Sequence, residues 1–281
     1  MKEAYFLSHN GLGDNLYSIG AVKCLTQFYD IVYFLCKDNY YENCVSFFEN
    51  DSKIKSLPIS QKAEFQSAYS IVSPHYSNPN ADIFICGCHK SYLKSKITNQ
   101  EYINFTKKNV NQPINYDLSH DTITDENYSF ITGFYTDIGL NLNVFYDYWT
   151  LPETDKSVEL YNSIKHYSKI IFVQNKCSDG RELNIQKLII NNLNDNTIII
   201  CNDVNIYNGL DCEKYGEQKT LADNFVRTKL LNYMTVIINA NEIHIIDSCF
   251  VGIVLPLLKT NKLRATNVRI ILRQLSNKIE L

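Results

Sequence analysis

The chain has 281 residues, which is enough for one large domain or for two domains of ordinary size. Hydrophobic residues make up 45% of the sequence, so the chain can bury a substantial core. The formal net charge is −3 and no long basic run appears, which argues against binding nucleic acid through phosphate neutralisation.

Membrane and secretion signals are also missing from the pattern. No apolar stretch reaches the ~20 residues of a membrane span, and the longest, FVGIVLPLL, contains a proline. The N-terminus, MKEAYFLSHNG, lacks the apolar length and the cleavage site of a signal peptide. The nine cysteines are odd in number and scattered, which indicates reduced thiols. We therefore expect a cytoplasmic protein without a transmembrane segment.

In the first half of the chain, apolar β-type runs alternate with amphipathic segments. The predicted strands are residues 3–8, 30–36, 53–59, 69–73 and 81–87, and the predicted helices are residues 14–29, 39–50 and 128–140. Strands that alternate with helices at this spacing indicate a parallel sheet covered on both faces. Residues 88–127 are polar and poorly periodic, and we assign no element to them.

A second alternating set follows residues 147–156, which we interpret as a domain junction. The predicted strands are residues 169–174, 196–203, 241–248 and 267–272, and the predicted helices are residues 157–167, 184–193, the first part of 221–240, and 249–260. The sequence thus predicts an α/β fold of two Rossmann-like domains, with residues 1–151 in the first and residues 152–281 in the second.

The stretch HNGLGDN (9–15) lies between the first predicted strand and helix. Gly11 and Gly13 allow a tight turn and the close approach of a ligand, and the helix N-terminus presents unpaired N–H groups. Asp14 has two readings. It either caps the helix, which is worth about 1 kcal/mol, or it faces a substrate hydroxyl as a general base.

Two familiar phosphate-binding patterns fit this loop poorly. The dinucleotide motif G-x-G-x-x-G would need glycine at Leu16, and Asp38 comes two residues too late to bind a ribose at the end of the second strand. The P-loop pattern is absent from the sequence. A nicotinamide-dependent dehydrogenase is therefore a weak alternative.

Three segments resemble heptosyltransferase-like glycosyltransferases of the GT-B fold. They are GLGDNLYSIGAVKCL at the start of the first helix, IIFVQNKCSDGRE (170–182), and EIHIIDSCFVGIVLPLL (242–258). The resemblance implies two Rossmann-like domains that face a central cleft, with an acceptor site in the first domain and a nucleotide-sugar site in the second. It also implies that Asp14 is the catalytic base.

The resemblance and the positions of polar residues after strands give a set of candidate site residues. The catalytic candidate is Asp14. The acceptor-binding candidates are His9, Asn10, Gly11, Gly13, Asn15 and His75, and the donor-binding candidates are Lys176, Ser178, Arg181, Asn202, Asp203, Asp247 and Ser248. Each has a structural alternative: Asp247 and Ser248 as helix caps, and Lys176, Arg181 and His75 as plain surface residues.

The chemistry implied is the transfer of a sugar from a nucleotide-sugar co-substrate to a hydroxyl of a glycan acceptor. A single displacement assisted by Asp14 would invert the anomeric configuration. No Asp-x-Asp motif lies in a suitable loop, and the cluster CGCH (86–89) lacks a second ligand pair, so neither a metal nor another cofactor is predicted. The alternatives are a nucleotide-sugar epimerase or isomerase and a non-catalytic module that binds sugar nucleotides.

Overall fold

A computed structural model describes residues 1–9, 11–109, 125–271 and 273. The described residues up to Pro152 form one compact unit, and those from Glu153 onward form a second. Within these ranges no helix is long and apolar enough to cross a membrane.

The N-terminal unit is built on a four-stranded parallel sheet. Its strands are β1 (Glu3–Leu7), β2 (Ile31–Lys37), β3 (Ile54–Ile59) and β4 (Ala81–Ile85), and its helices are α1 (Leu12–Leu25), α2 (Tyr41–Phe47), α3 (Glu64–Val72), α4 (Gln100–Asn109), α5 (Asp125–Thr136) and α6 (Asn143–Tyr148). The strand order is β3-β2-β1-β4, so β1 lies inside the sheet. All of β4 and all but the first residue of β1 are buried, as expected for a parallel sheet covered on both faces.

Helix α1 is enclosed by the rest of this unit. Every residue from Asn15 to Leu25 except Lys23 is buried, which is the pattern of a helix surrounded by protein. A Cβ at Gly20 would lie 2.6 Å from the Cα of Phe145, so the glycine lets α6 approach closely. The hydroxyl of Tyr135 also donates to the carbonyl of Tyr17 at 2.7 Å. The middle of α1 is therefore closely packed against α5 and α6.

The strand predicted at residues 69–73 is wrong. Helix α3 runs through Val72, and Ala68 and Val72 are its buried residues. These two residues are four apart and so lie on one helical face, which packs against the sheet. The β-branched residues Ile71 and Val72 favour a strand by composition, but burial of this helical face against the sheet stabilises the helix instead.

The C-terminal unit repeats the design with a different strand order. Its strands are β5 (Lys169–Gln174), β6 (Thr197–Cys201), β7 (Glu242–Ile246) and β8 (Asn267–Ile271), and its helices are α7 (Asp155–Ile164), α8 (Gln186–Asn192), α9 (Cys212–Asp223), α10 (Met234–Asn239) and α11 (Val251–Lys259). All four strands are parallel in the order β6-β5-β7-β8. The predicted α/β class with two Rossmann-like units is confirmed.

The helix predicted in the first part of residues 221–240 is largely wrong. Helix α9 ends at Asp223, and the regular helix in this stretch is α10, in its later part. Arg227 has φ of 60°, and a left-handed residue cannot continue a helix. The sequence gives little warning of this break, because an arginine rarely adopts that conformation.

Candidate functional site

The loop after β1 places a carboxylate directly at the start of α1. Gly11 is the N-cap residue, and its N–H donates to Oδ2 of Asp14 at 3.0 Å. A Cβ at Gly11 would lie 2.6 Å from that oxygen, so this contact needs a glycine. Asp14 is thus not the N-cap itself but the third residue of the helix, and it takes part in a capping box with Gly11. Its side chain is half-buried and stands at the carboxyl end of β1, where open parallel sheets bind their ligands.

His9 lies beside Asp14 in a defined tautomer. The backbone N–H of Cys88 donates to His9 Nε2 at 3.0 Å, so the neutral ring carries its proton on Nδ1. The ring packs at 5.0 Å against Phe134. Burial lowers the pKa of His9, although the charge of Asp14 acts in the opposite direction. His9 is therefore a neutral hydrogen-bonding group beside the carboxylate.

A turn after β4 holds His9 in place and was not predicted as part of the site. Gly87 has φ of 62°, and a Cβ there would lie 1.9 Å from His9 Cδ2. The N–H of Gly87 donates to Asp137 Oδ2 at 2.8 Å, and Lys90 pairs with the same carboxylate. The sequence signal for this turn was Gly87 itself, since a glycine directly after a buried strand is typical of a special backbone conformation.

A partly buried polar network includes a histidine of the same turn. His89 Nε2 is 2.7 Å from Glu64 Oε1, and Lys37 Nζ is 2.7 Å from Glu64 Oε2. The side chain of His89 is only 4% exposed. These residues come from the ends of β2 and β4 and from the start of α3, so the network ties three connections together at the carboxyl edge of the sheet.

The remaining acceptor-site candidates differ in where they lie. Gly11 and Gly13 lie at the start of α1, whereas Asn10 is outside the described residues. Asn15 is fully buried, and its amide donates to Cys44 Sγ at 3.3 Å, so it packs inside the unit. His75 lies in the turn that leads into the amino end of β4, with its ring stacked on Tyr5. The expectation that His75 directly follows a strand is wrong, because α3 extends through Val72.

In the C-terminal unit, the predicted polar loop after β5 forms a short hairpin. Lys176 pairs with Glu182 in antiparallel fashion, and the N–H of Leu183 donates to the carbonyl of Asn175 at 2.8 Å. Gly180 turns the chain with φ of 84°. Ser178 and Arg181, two donor-site candidates, are exposed near the tip of this hairpin. We call residues 175–183 the β5 hairpin.

The β5 hairpin meets the loop after β6 through an ion pair. Lys176 Nζ lies 2.7 Å from Asp203 Oδ2, and the Asp203 side chain is 8% exposed. Burial acts to raise the pKa of Asp203, but hydrogen bonds from Lys176, Asn205 and Asn175 outweigh it and hold the pKa below its ordinary value. The hydrogen bond to Asp203 raises the pKa of Lys176. Asn202 lies next to this pair and is exposed.

Asp247 and Ser248 follow β7, but neither caps the next helix. The N-cap of α11 is Phe250, without a side-chain cap. Ser248 is 8% exposed, and its Oγ has no hydrogen-bond partner among the described residues. Burial raises the pKa of Asp247. A buried hydroxyl of this kind is a natural donor or acceptor for a bound ligand.

Arg273 is a cation at this edge that the sequence analysis did not select. It follows β8, and its Nε donates to the carbonyl of Asp247 at 2.8 Å. Its guanidinium also lies 3.6 Å from the carboxylates of Asp247 and Asp179. It therefore joins the end of β7 to the β5 hairpin. In the described ranges, no three His, Cys, Asp or Glu side chains are grouped to hold a metal ion.

A comparison of this structure with solved structures finds the Escherichia coli ADP-heptose LPS heptosyltransferase II. The two are 11% identical with a TM-score of 0.53, and the match covers 100% of this chain and 95% of that one. The chain has the fold of a heptosyltransferase-like glycosyltransferase. The resemblance read from the sequence is thus confirmed at the level of the fold. No protein-family model and no curated protein sequence matches the chain.

Proposed function

We propose that the protein is a glycosyltransferase that moves a sugar from a nucleotide-sugar donor to a hydroxyl of a glycan acceptor. The observation that carries this proposal is the half-buried carboxylate of Asp14, held by the N–H of Gly11 at the carboxyl end of β1. Two facts support it: the chain has the fold of a heptosyltransferase-like glycosyltransferase, and parallel sheets of this kind bind ligands at the carboxyl ends of their strands. The acceptor binds beside Asp14 and His9.

In the proposed reaction, Asp14 takes the proton of the acceptor hydroxyl as the acceptor oxygen attacks the anomeric carbon. A new C–O bond forms while the bond to the donor's diphosphate breaks, and the nucleoside diphosphate leaves with that electron pair. This is one displacement, so the anomeric configuration inverts. His9 is neutral and orients the acceptor through its Nδ1–H.

The donor's diphosphate binds at the carboxyl edge of the C-terminal sheet. Lys176, Arg181 and Arg273 supply positive charge there, and guanidinium groups bind phosphate oxygens well. The buried hydroxyl of Ser248 donates a hydrogen bond to the nucleotide sugar, since it has no other partner in the described part of the chain. Asn202 and Asp203, after β6, bind hydroxyl groups of the donor. These charges stabilise the leaving group without a metal ion.

The test is the variant Asp14→Asn, scored against a panel of nucleotide sugars. Asparagine keeps an oxygen that can accept from Gly11, so the start of α1 is retained while the base is lost. We expect kcat to fall about 10²- to 10⁴-fold, the usual contribution of a general base, with nucleotide affinity nearly unchanged. Full turnover in this variant would show that Asp14 only caps the helix.

The matched control is Glu101→Gln. Glu101 is also an acid in the first turn of a helix of the same unit, and it is exposed with a long ion pair of 3.8 Å to Lys2. It does not lie in the loops of the site. We expect this variant to keep normal turnover, so that a loss in Asp14→Asn reports on catalysis and not on helix charge.

A further inference from the structure

Three aromatic side chains form an exposed patch on the N-terminal unit. Phe65 and Tyr69 belong to α3, and Tyr92 directly follows the turn after β4. The ring centroid of Phe65 lies 5.0 Å from that of Tyr92 and 6.3 Å from that of Tyr69. The three residues are 36%, 66% and 52% exposed in that order. A single exposed aromatic residue needs no explanation, but three in contact across two segments form a continuous surface for a ligand. We call them the aromatic patch.

The two residues of the patch on α3 contribute little to the core of the unit. Ala68 and Val72 are the buried residues of this helix. Phe65 and Tyr69 are four residues apart, so they are neighbours on the helix surface, and both remain exposed to solvent. Packing of α3 against the sheet therefore does not account for two large aromatic rings at these positions.

The third ring is held at the surface by a fixed backbone. The N–H of Tyr92 donates to the carbonyl of His89 at 3.0 Å, and the next residue, Leu93, is 3% exposed within the core. The segment is also joined to the start of α3, because His89 Nε2 lies 2.7 Å from Glu64 Oε1. The two segments that carry the aromatic patch are thus held together before any ligand binds, which lowers the entropic cost of binding.

The aromatic patch begins close to the proposed base. Cys88, in the turn that precedes Tyr92, donates its backbone N–H to His9 Nε2 at 3.0 Å. Burial is the main influence on the pKa of His9 and lowers it, and the charges of Asp14 and Glu64 both act against this shift. Asp14 and Glu64 therefore both lie near His9, and Phe65 is the residue after Glu64. A ligand bound at Asp14 that extends past His9 reaches the patch.

The size of the aromatic patch restricts what it can bind. An aromatic side chain offers about 150–250 Å² of surface, so the exposed fractions amount to roughly 300 Å². A stable protein–protein interface takes about 800 Å² from each partner, which makes the patch too small for a second copy of this chain. An area of this size matches the faces of one or two sugar rings.

The chemistry of the aromatic patch also fits a sugar. One face of many pyranose rings presents mainly C–H groups, which pack on the electron-rich face of an aromatic ring. The hydroxyl groups at the edge of the sugar can bond to a phenol hydroxyl, which both donates and accepts. Two of the three residues, Tyr69 and Tyr92, carry such a hydroxyl.

We propose that the aromatic patch binds a neutral pyranose residue of the acceptor glycan, beyond the residue whose hydroxyl reacts at Asp14. This inference rests on the proposed function for the presence of an acceptor. It makes the acceptor an oligosaccharide of at least two residues. It also gives Phe65, Tyr69 and Tyr92 a role in acceptor specificity, whereas the sequence analysis assigned them none.

The first test is saturation-transfer NMR, without nucleotide, on trisaccharides of glucose, galactose, mannose and N-acetylglucosamine and on the matching monosaccharides. We expect at least one trisaccharide to bind about tenfold more tightly than its monosaccharide. In Tyr92→Ala this affinity should fall about tenfold, equal to about 1.4 kcal/mol, and Tyr92→Trp should retain it. The lack of any trisaccharide binding, or binding that Tyr92→Ala leaves unchanged, would overturn the proposal.

The matched control is Tyr41→Ala. Tyr41 is 36% exposed in the same unit, but it lies on α2 and outside the patch. We expect this variant to keep normal trisaccharide affinity, and an equal loss in both alanine variants would contradict the assignment. Vesicles of anionic phospholipid test a membrane surface as the occupant. Vesicle binding that depends on Tyr92, without saccharide binding, would also reject the proposal.

Transfer assays separate this inference from the proposed function. With an active nucleotide sugar, we expect Tyr92→Ala to raise KM for an oligosaccharide acceptor and to leave kcat unchanged, because the ring acts away from the reacting atoms. Transfer whose KM is insensitive to Tyr92→Ala rejects the patch and keeps the transferase. Trisaccharide binding that depends on Tyr92, without transfer from any nucleotide sugar, rejects the transferase and keeps the patch as a saccharide site.

Discussion

The connections that follow the first strand of each unit differ in length and in the charge that they carry. In the N-terminal unit, β1 ends at Leu7 and α1 begins as early as Leu12, and the first helical turn carries the acid Asp14. In the C-terminal unit, the β5 hairpin (residues 175–183) and two further residues precede α8, and the hairpin carries the basic residues Lys176 and Arg181. One connection is tight and presents a carboxylate, and the other is long and presents cations.

The difference follows from what each loop is packed against. The short loop is held from below by the turn after β4, where Cys88 donates to His9. Residues of the β5 hairpin and of the loop after β6 line a cavity of about 690 Å³. A tight loop fixes one side chain precisely, whereas a long loop makes room for a large ligand. The tight loop would suit a site that removes a proton, and the long loop would suit a site that binds a nucleotide.

The largest effect in this comparison is expected at Gly87, with Gly180 as its counterpart in the hairpin. Both have positive φ, but a Cβ at Gly87 meets His9 at 1.9 Å, while a Cβ at Gly180 meets nothing within 4 Å. We expect Gly180→Ala to cost about 1–2 kcal/mol of unfolding free energy from the backbone alone. Gly87→Ala should cost about 1–3 kcal/mol more because of overpacking. Urea unfolding measures both, and equal costs would mean that His9 simply moves aside.

The next effect concerns acid stability, because two carboxylates of the C-terminal unit have pKa shifts of opposite sign. The pKa of Asp203 is lowered, so its stabilisation is present at neutral pH and is lost as the pH falls through its folded-state pKa, below about 4. Burial raises the pKa of Asp247, so its ionisation at neutral pH costs stability that returns on protonation.

Thermal unfolding from pH 7 to pH 3 of two isosteric variants tests these signs. We expect Asp203→Asn to lower Tm at pH 7 and to make Tm fall less steeply as the pH is lowered towards 3. Asp247→Asn should lower Tm less at pH 7, or raise it, and should make Tm fall more steeply as the pH is lowered towards 3. Parallel shifts of both variants at every pH would contradict the assigned pKa directions. Glu159→Gln, an exposed carboxylate of the same unit, is the control for net charge.

The smallest effect on stability is expected at Ser248. Its buried Oγ makes no hydrogen bond within the described residues, so Ser248→Ala should change the unfolding free energy by less than about 0.5 kcal/mol. If the hydroxyl donates to the donor's phosphate, the same variant should weaken nucleoside diphosphate binding several-fold. Titration and denaturation together distinguish this from a structural serine, which would lose stability and keep its affinity.

Much of the fold was readable from local pattern. Short apolar runs predicted a strand at the position of each of the eight described strands. One of them, β3, contains Pro58, which is compatible with its place at the edge of the sheet. The errors came where local signals were ambiguous. Ile71 and Val72 favour a strand by composition, but the helical face that they share with Ala68 is what the sheet covers.

The candidate site was less readable, because its key contacts join residues far apart in the chain. Asp14 and its glycines were recognisable, since they lie in one short loop. The partners of that loop, Gly87 and Cys88, and the network of Lys37, Glu64 and His89 come from other connections. Arg273 reaches Asp247 only because β8 lies beside β7.

The sequence by itself determined the alternation of strands and helices, the two Rossmann-like units and the acidic loop at the start of the first, because periodicity and turn residues act over short distances. Tertiary structure alone decided that His9 is held by the turn after β4, that Asn15 and His75 lie away from the loop surface, and that Lys176 pairs with Asp203. The physical reason is that parallel strands bring the ends of distant segments to one edge, and only strand order decides which side chains meet there.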